Sequence, residues 1–309
     1  MKKVGISYFL VFLLLSFVCP CEAQNTMGPA LPAPSLKAGE RKVLTVDGIE
    51  YAFRWCPPGE FMMGAEPRYE TRKVKIQRTW VEWAIGKPDT KTERDLINQD
   101  ELLHKVKLTK GFWMLETQVT QAMWQSVMGQ SIEQQRDKAD KSWPLYGKGP
   151  NYPMYYVNWD ECQEFCLKLS QKLGQQVLLP TEAQWEYACR AGTTSDYAGD
   201  LDEMAWYEKN SGGTTHEVAQ KKPNAWGFYD MHGNVWEWCA DWYDKEFYAK
   251  SPECDPENTA ESWFRVFRGS CWFYPAESCR SACRCSSAPD LQSAILGFRP
   301  VLVSNQDAS

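Results

Sequence analysis

Residues 233–238 read Gly-Asn-Val-Trp-Glu-Trp, and a further tryptophan, Trp242, follows closely. Each large aromatic side chain can bury about 150–250 Å², so rings can fill a core where regular helix and strand are sparse. The 309-residue chain contains 15 Trp, 14 Tyr and 13 Phe, together with 18 Pro and 20 Gly that favour turns. We therefore expect a loop-rich fold in which Trp236, Trp238 and Trp242 pack into the core rather than stack on a ligand.

The N-terminal segment is typical of an export signal. Two lysines precede an apolar run that ends at Val18, and residues 21–23, Cys-Glu-Ala, resemble a cleavage site. We expect residues 1–23 to be a signal peptide and the mature protein to be exported, either periplasmic or secreted. Lipoprotein anchoring through Cys19 is the alternative, which the bulky Val18 before it disfavours.

Composition excludes several classes of protein. Removal of the leader takes away two lysines and one glutamate, so the net charge changes from −6 to −7. A negatively charged protein does not favour a nucleic-acid partner, and no later stretch is apolar enough to be a transmembrane segment. Ten of the 12 cysteines remain after the leader, an even number that permits disulfides outside the cytosol. We expect a monomer.

The chain after the leader divides into a lead and one domain. Residues 24–40 are rich in Pro, Ala and Ser and predict a flexible lead. Alternating apolar residues around Asp47-Gly48 predict a β-hairpin at the start of a mixed α+β domain over residues 41–305. Residues around 65–100 are charged without a clear period, so we expect a surface insertion there.

Three segments carry start signals of short helices. Thr120 can cap a first helix, whereas Asn158 with Glu161 and Thr181 with Gln184 form capping-box patterns before the second and third. Gly174 and Gly192 follow the second and third segments and mark their ends. These helices are short and widely spaced, which agrees with a loop-heavy domain.

Six sequence motifs identify a family. They are Phe61-Met62-Met63-Gly64, Phe112-Trp113-Met114 with residues 116–124, Leu-Leu-Pro-Thr-Glu-Ala-Gln-Trp-Glu-Tyr-Ala at 178–188, Pro-Asn-Ala-Trp-Gly-Phe-Tyr-Asp at 223–230, residues 233–238, and Leu296-Gly297-Phe298-Arg299. In this order the motifs resemble the formylglycine-generating enzyme (sulfatase-modifying factor) family. The resemblance implies an α+β, C-type-lectin-like fold with little regular secondary structure.

The resemblance also implies a chemistry for residues 268–285. Oxidase members of this family convert a cysteine of a sulfatase-type protein or peptide to formylglycine, with O₂ and Cu⁺ held by two thiolates, a soft ligand pair suited to Cu(I). By this resemblance Cys271 would be the nucleophile, Ser270 would position O₂ or substrate, and Cys279 would be a second, irregular copper ligand. The catalytic expectation is therefore Cys271, Ser270 and Cys279.

The spacing of these sulfurs departs from the family's pair. Counted forward from Ser270, the two copper positions fall on Phe273 and Ser278. Counted back from the arginine at position 280, they fall on Cys271 and Ala276, so neither register supplies both sulfurs. The alternative is a non-catalytic binding module on the same scaffold. In that case the resemblance implies a structural disulfide between Cys189 and Cys279.

A structural Ca²⁺ is a further implication of the resemblance. The family holds this ion in the loop that corresponds to Asp230, Gly233, Val235 and Glu237. Two carboxylates and two backbone carbonyls form the hard oxygen cage that Ca²⁺ prefers. The alternative is that Glu237 only pairs with an arginine such as Arg284 or Arg299.

Overall fold

Strands and short helices alternate along the chain. The computed structural model describes residues 36–75, 90–96 and 98–303. The strands are β1 (Arg41–Val46), β2 (Ile49–Cys56), β3 (Gly59–Met63), β4 (Tyr69–Lys75), β5 (Thr90–Leu96), β6 (His104–Leu108), β7 (Phe112–Leu115), β8 (Val177–Leu178), β9 (Trp236–Trp242), β10 (Arg265–Arg268), β11 (Arg284–Ser287), β12 (Leu296–Phe298) and β13 (Val301–Val303). The helices are α1 (Gln121–Met128), α2 (Ile132–Ala139), α3 (Trp159–Leu173), α4 (Glu182–Arg190), α5 (Leu201–Met204), α6 (Phe247–Lys250) and a 3₁₀ turn at Ala276–Cys279. The predicted α+β class is confirmed.

Two larger sheets organise the domain. One has the order β1-β2-β7-β13-β8 and the other β11-β10-β9-β12. The predicted hairpin is confirmed, because Asp47 and Gly48 turn between β1 and β2 with φ of 50° and 79°. In the second sheet β9 and β10 are antiparallel, with Glu237 opposite Arg268. The loop before β9 and the segment after β10 therefore leave this sheet at the same end, which is where the predicted site residues lie.

Aromatic rings fill the core, as the composition predicted. Trp236 and Trp238 are buried, and both rings meet Phe267 edge-on, with centroids 5.2 and 5.4 Å away. Trp242 is half-buried, and its ring lies 3.5 Å from the guanidinium of Arg265. None of these three tryptophans is free to offer a whole ring face to a ligand.

Helix boundaries follow the local signals. Thr120 Oγ1 accepts a hydrogen bond from the backbone of α1, and the capping boxes of Asn158 with Glu161 and of Thr181 with Gln184 are formed at α3 and α4. Gly174 ends α3 in the left-handed conformation. At the end of α4 the residue in that conformation is Ala191, with Gly192 following it. Helix α2 was not predicted.

Part of the predicted organisation lies outside the described residues. The signal peptide over residues 1–23 falls there, as do most of the predicted lead and residues 76–89 of the insertion. On either side of residues 76–89, β4 and β5 pair as an antiparallel two-stranded ribbon. Among the ranges that the structure describes, no helix is long and apolar enough to cross a membrane.

A buried carboxylate ties β9 to the start of α4. Asp241 accepts hydrogen bonds from the backbone N–H groups of Glu182, at 2.6 Å, and Asn258, at 2.9 Å. Burial raises the pKa of Asp241 to about 7, and the neighbouring carboxylates of Glu182 and Glu257 add to the shift, although the two N–H groups oppose it. The guanidinium of Arg265 donates to the adjacent carbonyl of Ala240 at 2.6 Å, and its charge interacts with that of Asp241.

Candidate functional site

Four oxygen atoms converge in the loop before β9. They are the backbone carbonyls of Asp230, Gly233 and Val235 and the Oε1 atom of Glu237. All four surround the side-chain nitrogen of Gln118, with Nε2–O distances of 3.3, 3.1, 2.8 and 3.0 Å, respectively. We call this arrangement the oxygen cage. It unites the four residues that were expected to bind calcium and adds Gln118, which sequence reasoning missed.

Backbone conformation creates the oxygen cage. Asp230 and Asn234 have φ of 57° and 64°, and Gly233 has φ of 149°, so successive carbonyls turn inwards. A Cβ atom at Gly233 would lie 2.3 Å from the carbonyl oxygen of Trp206, so only glycine fits there. Asn234 fixes the loop through the backbone of His216, from which its Oδ1 accepts and to which its Nδ2 donates.

Glu237 is fully buried, and both of its carboxylate oxygens accept hydrogen bonds. Arg299 donates to both of its oxygens, at 2.9 and 3.0 Å, and Trp185 Nε1 donates to Oε2 at 2.7 Å. The two alternatives for Glu237 are thus not exclusive, because its Oε1 belongs to the oxygen cage and also pairs with Arg299. Arg284, the other expected partner, instead pairs with Glu182 at 2.6 Å.

Asp230 contributes differently from the expectation. Its backbone carbonyl, not its carboxylate, faces Gln118 Nε2. In the carboxylate, Oδ2 accepts from Ala219 N–H at 2.8 Å, whereas Oδ1 is buried without a hydrogen-bond partner among the described residues. Burial raises the pKa of Asp230 to about 6, with Ala219 and Arg299 lowering it and Glu237 raising it. All of the donor atoms are hard oxygens and one buried oxygen is unpaired, so these residues fit a Ca²⁺ ion.

The three predicted catalytic residues come together after β10. Ser270 is buried with φ of 65°, and its hydroxyl lies close enough to the Cys279 thiol to lower that thiol's pKa without reaching good hydrogen-bond geometry. Cys271 and Cys279 also influence each other electrostatically. The two thiols are thus near enough to interact electrostatically, but they pack into different hydrophobic clusters and make no hydrogen bond with each other among the described residues.

Neither sulfur is accessible. The exposed fraction of both Cys271 and Cys279 is 0%. Burial raises the pKa of Cys271 to about 12 and that of Cys279 to about 11, so both groups are neutral thiols at pH 7. An oxidase copper centre must admit O₂ and a peptide at an open face of the metal, and these two thiols offer no such face. The residues present do not fit that centre.

Cys189 lies near the same thiols but is not bonded to Cys279. The ten cysteines between residues 56 and 285 are free, so the structure does not form the disulfide that the resemblance implies. Cys189 Sγ contacts the ring of His232 at 3.8 Å, and His232 Nδ1 hydrogen-bonds the carbonyl of Cys279 at 2.8 Å. The imidazole of His232 thus packs against the sulfur of Cys189 and hydrogen-bonds the backbone carbonyl of Cys279.

Comparison with known proteins agrees with the six motifs. The family profile described as "Sulfatase-modifying factor enzyme 1-like domain" matches residues 51–304. The chain belongs to the sulfatase-modifying factor family. The formylglycine-generating enzyme of Streptomyces coelicolor is 33% identical over 170 residues, which cover 48% of this chain and 52% of that enzyme. The chain therefore spans about half the length of this relative.

Solved structures of the same scaffold cover more of the chain. Treponema denticola variable protein 1 superposes with a TM-score of 0.68 and 27% identity, covering 85% of this chain and 99% of that protein. PvdO from Pseudomonas aeruginosa, at 24% identity, shares the fold with a TM-score of 0.67 over 87% of this chain and all of PvdO. Together with the family match, these neighbours confirm the predicted C-type-lectin-like fold.

A group of contacting rings, part of it exposed, follows the buried Cys271. We call Tyr146, Trp272, Phe273 and Tyr274 the aromatic face. Ring centroids are 4.7 Å apart for Tyr146 and Trp272 and 5.5 Å apart for Trp272 and Phe273. Phe273 is 61% exposed and Tyr274 is also exposed, whereas Tyr146 is half-buried and Trp272 is buried. In this member of the family, the segment in which copper-binding thiols were expected therefore presents aromatic rings to solvent.

Proposed function

We propose that this protein is a non-catalytic binding member of the sulfatase-modifying factor family that uses the aromatic face to hold a peptide segment of a partner protein. The observation that carries the proposal is the contrast between Cys271, which is fully buried, and Phe273, which is 61% exposed only two residues later. Aromatic side chains provide large contact areas at low entropic cost and dominate protein interfaces.

The aromatic face is held rigidly, as a binding surface requires. Tyr155 Oη accepts a hydrogen bond from Tyr146 N–H and donates to the carbonyl of Gly147, both at 2.8 Å. Tyr156 Oη donates to the carbonyl of Pro144 at 2.9 Å. The hydroxyls of Tyr155 and Tyr156 therefore fix the loop that carries Tyr146, whose ring packs on Trp272, before any ligand arrives, which reduces the entropic cost of binding.

The test uses a synthetic cysteine peptide of the sulfatase type. We expect fluorescence anisotropy to show that the peptide binds and mass spectrometry to show that its cysteine is unchanged under O₂ with added Cu(I). Phe273→Ala should weaken binding at least about tenfold, as loss of a central ring does. Trp263→Ala is the matched control, because Trp263 is strongly exposed and makes none of the ring contacts of the aromatic face. No binding, or equal effects of both variants, would refute the proposal.

The second candidate is the formylglycine-generating oxidase itself. It is supported by the electrostatic influence of Cys279 on Cys271 and of Ser270 on Cys279, and by the similarity to an enzyme of that name. Conversion of the peptide cysteine to formylglycine by the wild type and its loss in Cys271→Ser would establish this candidate. Cys271→Ser with full conversion would eliminate the assigned nucleophile.

Two further proposals concern stability and location. We propose that the oxygen cage holds a structural Ca²⁺ through the carbonyls of Asp230, Gly233 and Val235 and the carboxylate of Glu237. This ion would stabilise the fold and take no part in catalysis. We also propose export with removal of residues 1–23. The intact mass of protein recovered from the periplasm or medium tests this, since retention of a lipid-modified Cys19 would give a heavier species.

A further inference from the structure

The side-chain nitrogen of Gln118 is surrounded by more hydrogen-bond acceptors than its two hydrogens can serve. Four oxygens lie within 3.3 Å of Nε2, but an amide nitrogen has only two hydrogens. Two of the four oxygens therefore receive no proton from Gln118. At the same time Oε1 of this side chain is buried without a hydrogen-bond partner in the part of the chain that the structure describes. Oxygens on all sides of one atom are the surroundings of a cation rather than of an amide.

The charges around the oxygen cage also leave one negative group without a positive partner. Glu237 is matched by Arg299, with which it forms a buried two-point ion pair. The carboxylate of Asp230 has no such partner, and its Oδ1 is the second unpaired buried oxygen at this site. Gln118 is neutral and cannot offset that charge. Unpaired buried oxygens cost free energy, and a cation in the cage would give Gln118 Oε1 a partner and would place a positive charge close to the carboxylate of Asp230.

The backbone of Gln118 is fixed on both sides, so only its side chain is free to respond. The carbonyl of Glu116 accepts from Tyr229 N–H at 3.0 Å, and Val119 N–H donates to the carbonyl of Phe298 at 3.0 Å. The residue itself is completely buried. A change at this position must therefore be a rotation of the side chain within the core, not a movement of the loop.

We propose that Gln118 alternates between two roles in the oxygen cage. In the first role its Nε2 lies at the centre of the cage, as described above. In the second role Ca²⁺ takes that place, the side chain changes rotamer and withdraws from the centre, and Oε1 gains a partner as an additional ligand. This inference rests on the calcium proposal above and adds a residue that the family resemblance does not assign.

The experiment measures Ca²⁺ affinity by isothermal titration calorimetry after chelation, with thermal unfolding in EDTA as a second readout. Gln118→Met keeps the length of the side chain and removes its oxygen, so we expect at least about tenfold weaker Ca²⁺ binding. Gln118→Glu supplies a charged oxygen and should bind Ca²⁺ more tightly, yet unfold at a lower temperature than the wild type in EDTA. Gln121→Met is the matched control, since Gln121 is a buried amide whose Nε2 donates to Gly147 and Pro153 outside the oxygen cage.

The outcomes separate the two claims. Wild-type affinity in Gln118→Met would overturn the role of Gln118 while leaving the calcium proposal intact. Absence of Ca²⁺ binding by the wild type would overturn both. If Gln118→Met does not fold, Gln118→Glu decides, because an unfolding temperature that does not respond to Ca²⁺ would contradict a ligand at position 118.

Discussion

Replacement of Arg268 by methionine should be among the most destabilising single changes in this domain. Arg268 lies at the end of β10, next to Ser270, and is completely buried. Its Nη1 donates to Glu182 at 2.6 Å, and its Nη2 donates to Glu186 and to the carbonyl of Ser281, both at 2.5 Å. Burial opposes ionisation of Glu182, yet the guanidiniums of Arg284 and Arg268 hold its pKa below the usual value. The guanidinium of Arg268 thus compensates carboxylates that have no access to water.

The expected loss follows from what the variant leaves behind. Arg268→Met removes the partner of Glu186 Oε2 and of the Ser281 carbonyl, whereas Glu182 keeps Arg284 and Glu186 Oε1 keeps Arg190. Removal of one member of a buried ion pair costs about 3–5 kcal/mol. The residual partners favour the lower part of that range. We therefore expect urea unfolding to show about 3 kcal/mol less stability, with an unchanged m-value.

Arg41→Met is the control for this prediction. Arg41 also binds a glutamate at 2.9 Å, but its side chain is 46% exposed. Exposed ion pairs contribute about 0–1 kcal/mol, so the control should lose less than about 1 kcal/mol. Equal losses in the two variants, or a loss below about 1 kcal/mol for Arg268→Met, would refute the reasoning from burial. If Arg268→Met does not fold, Glu186→Gln serves the same comparison with a smaller change in shape.

Three other measurements test the geometry. Alkylation of the native protein should modify the exposed Cys254 and spare Cys271 until denaturant is added, and equal rates would contradict the burial of the thiol site. Gly233→Ala should lose at least about 2 kcal/mol in urea unfolding, because its Cβ would meet a backbone oxygen at 2.3 Å, whereas Gly48→Ala, also at positive φ but in open space, should lose about 1 kcal/mol. Asp241 has a folded pKa of about 7, above that of the unfolded chain, so its stabilising contribution is complete below about pH 4 and is lost as the pH rises through 7. The difference in unfolding free energy between wild type and Asp241→Asn should therefore fall by up to about 4 kcal/mol over this interval, and a rise would contradict the shift.

Local signals in the sequence were sufficient for the short elements. The turn at Asp47-Gly48 and the caps at Thr120, Asn158 and Thr181 depend on residues within four positions of one another, so their chemistry can be read without the fold. Helix α2 was missed although Ser131 and Gln134 form a capping box of the same kind. Most residues of α2 are polar and its apolar face is small, so the segment shows little hydrophobic periodicity.

The oxygen cage was only partly predictable because its parts come from distant positions. Gln118 is more than 110 residues from the carbonyls that it contacts, and no spacing rule links them. The positive φ of Asp230 decides that its carbonyl, not its carboxylate, faces the centre. A side chain with four acceptors around one nitrogen could be found only once the loop conformation was known.

For Cys271 and Cys279, the spacing of the cysteines in the sequence was not sufficient to decide the chemistry. Counting along residues 268–285 tests whether two sulfurs fall at family positions, and it gave an irregular pair. In the fold Cys279 ends a 3₁₀ turn, and the two thiols interact electrostatically without a hydrogen bond between them among the described residues. Both sulfurs lack exposed surface, a property set by packing against residues far away in sequence, such as Trp236 beside Cys271. The reactivity of a thiol depends on its access to solvent and substrate, and that access could not be read from the spacing of the cysteines.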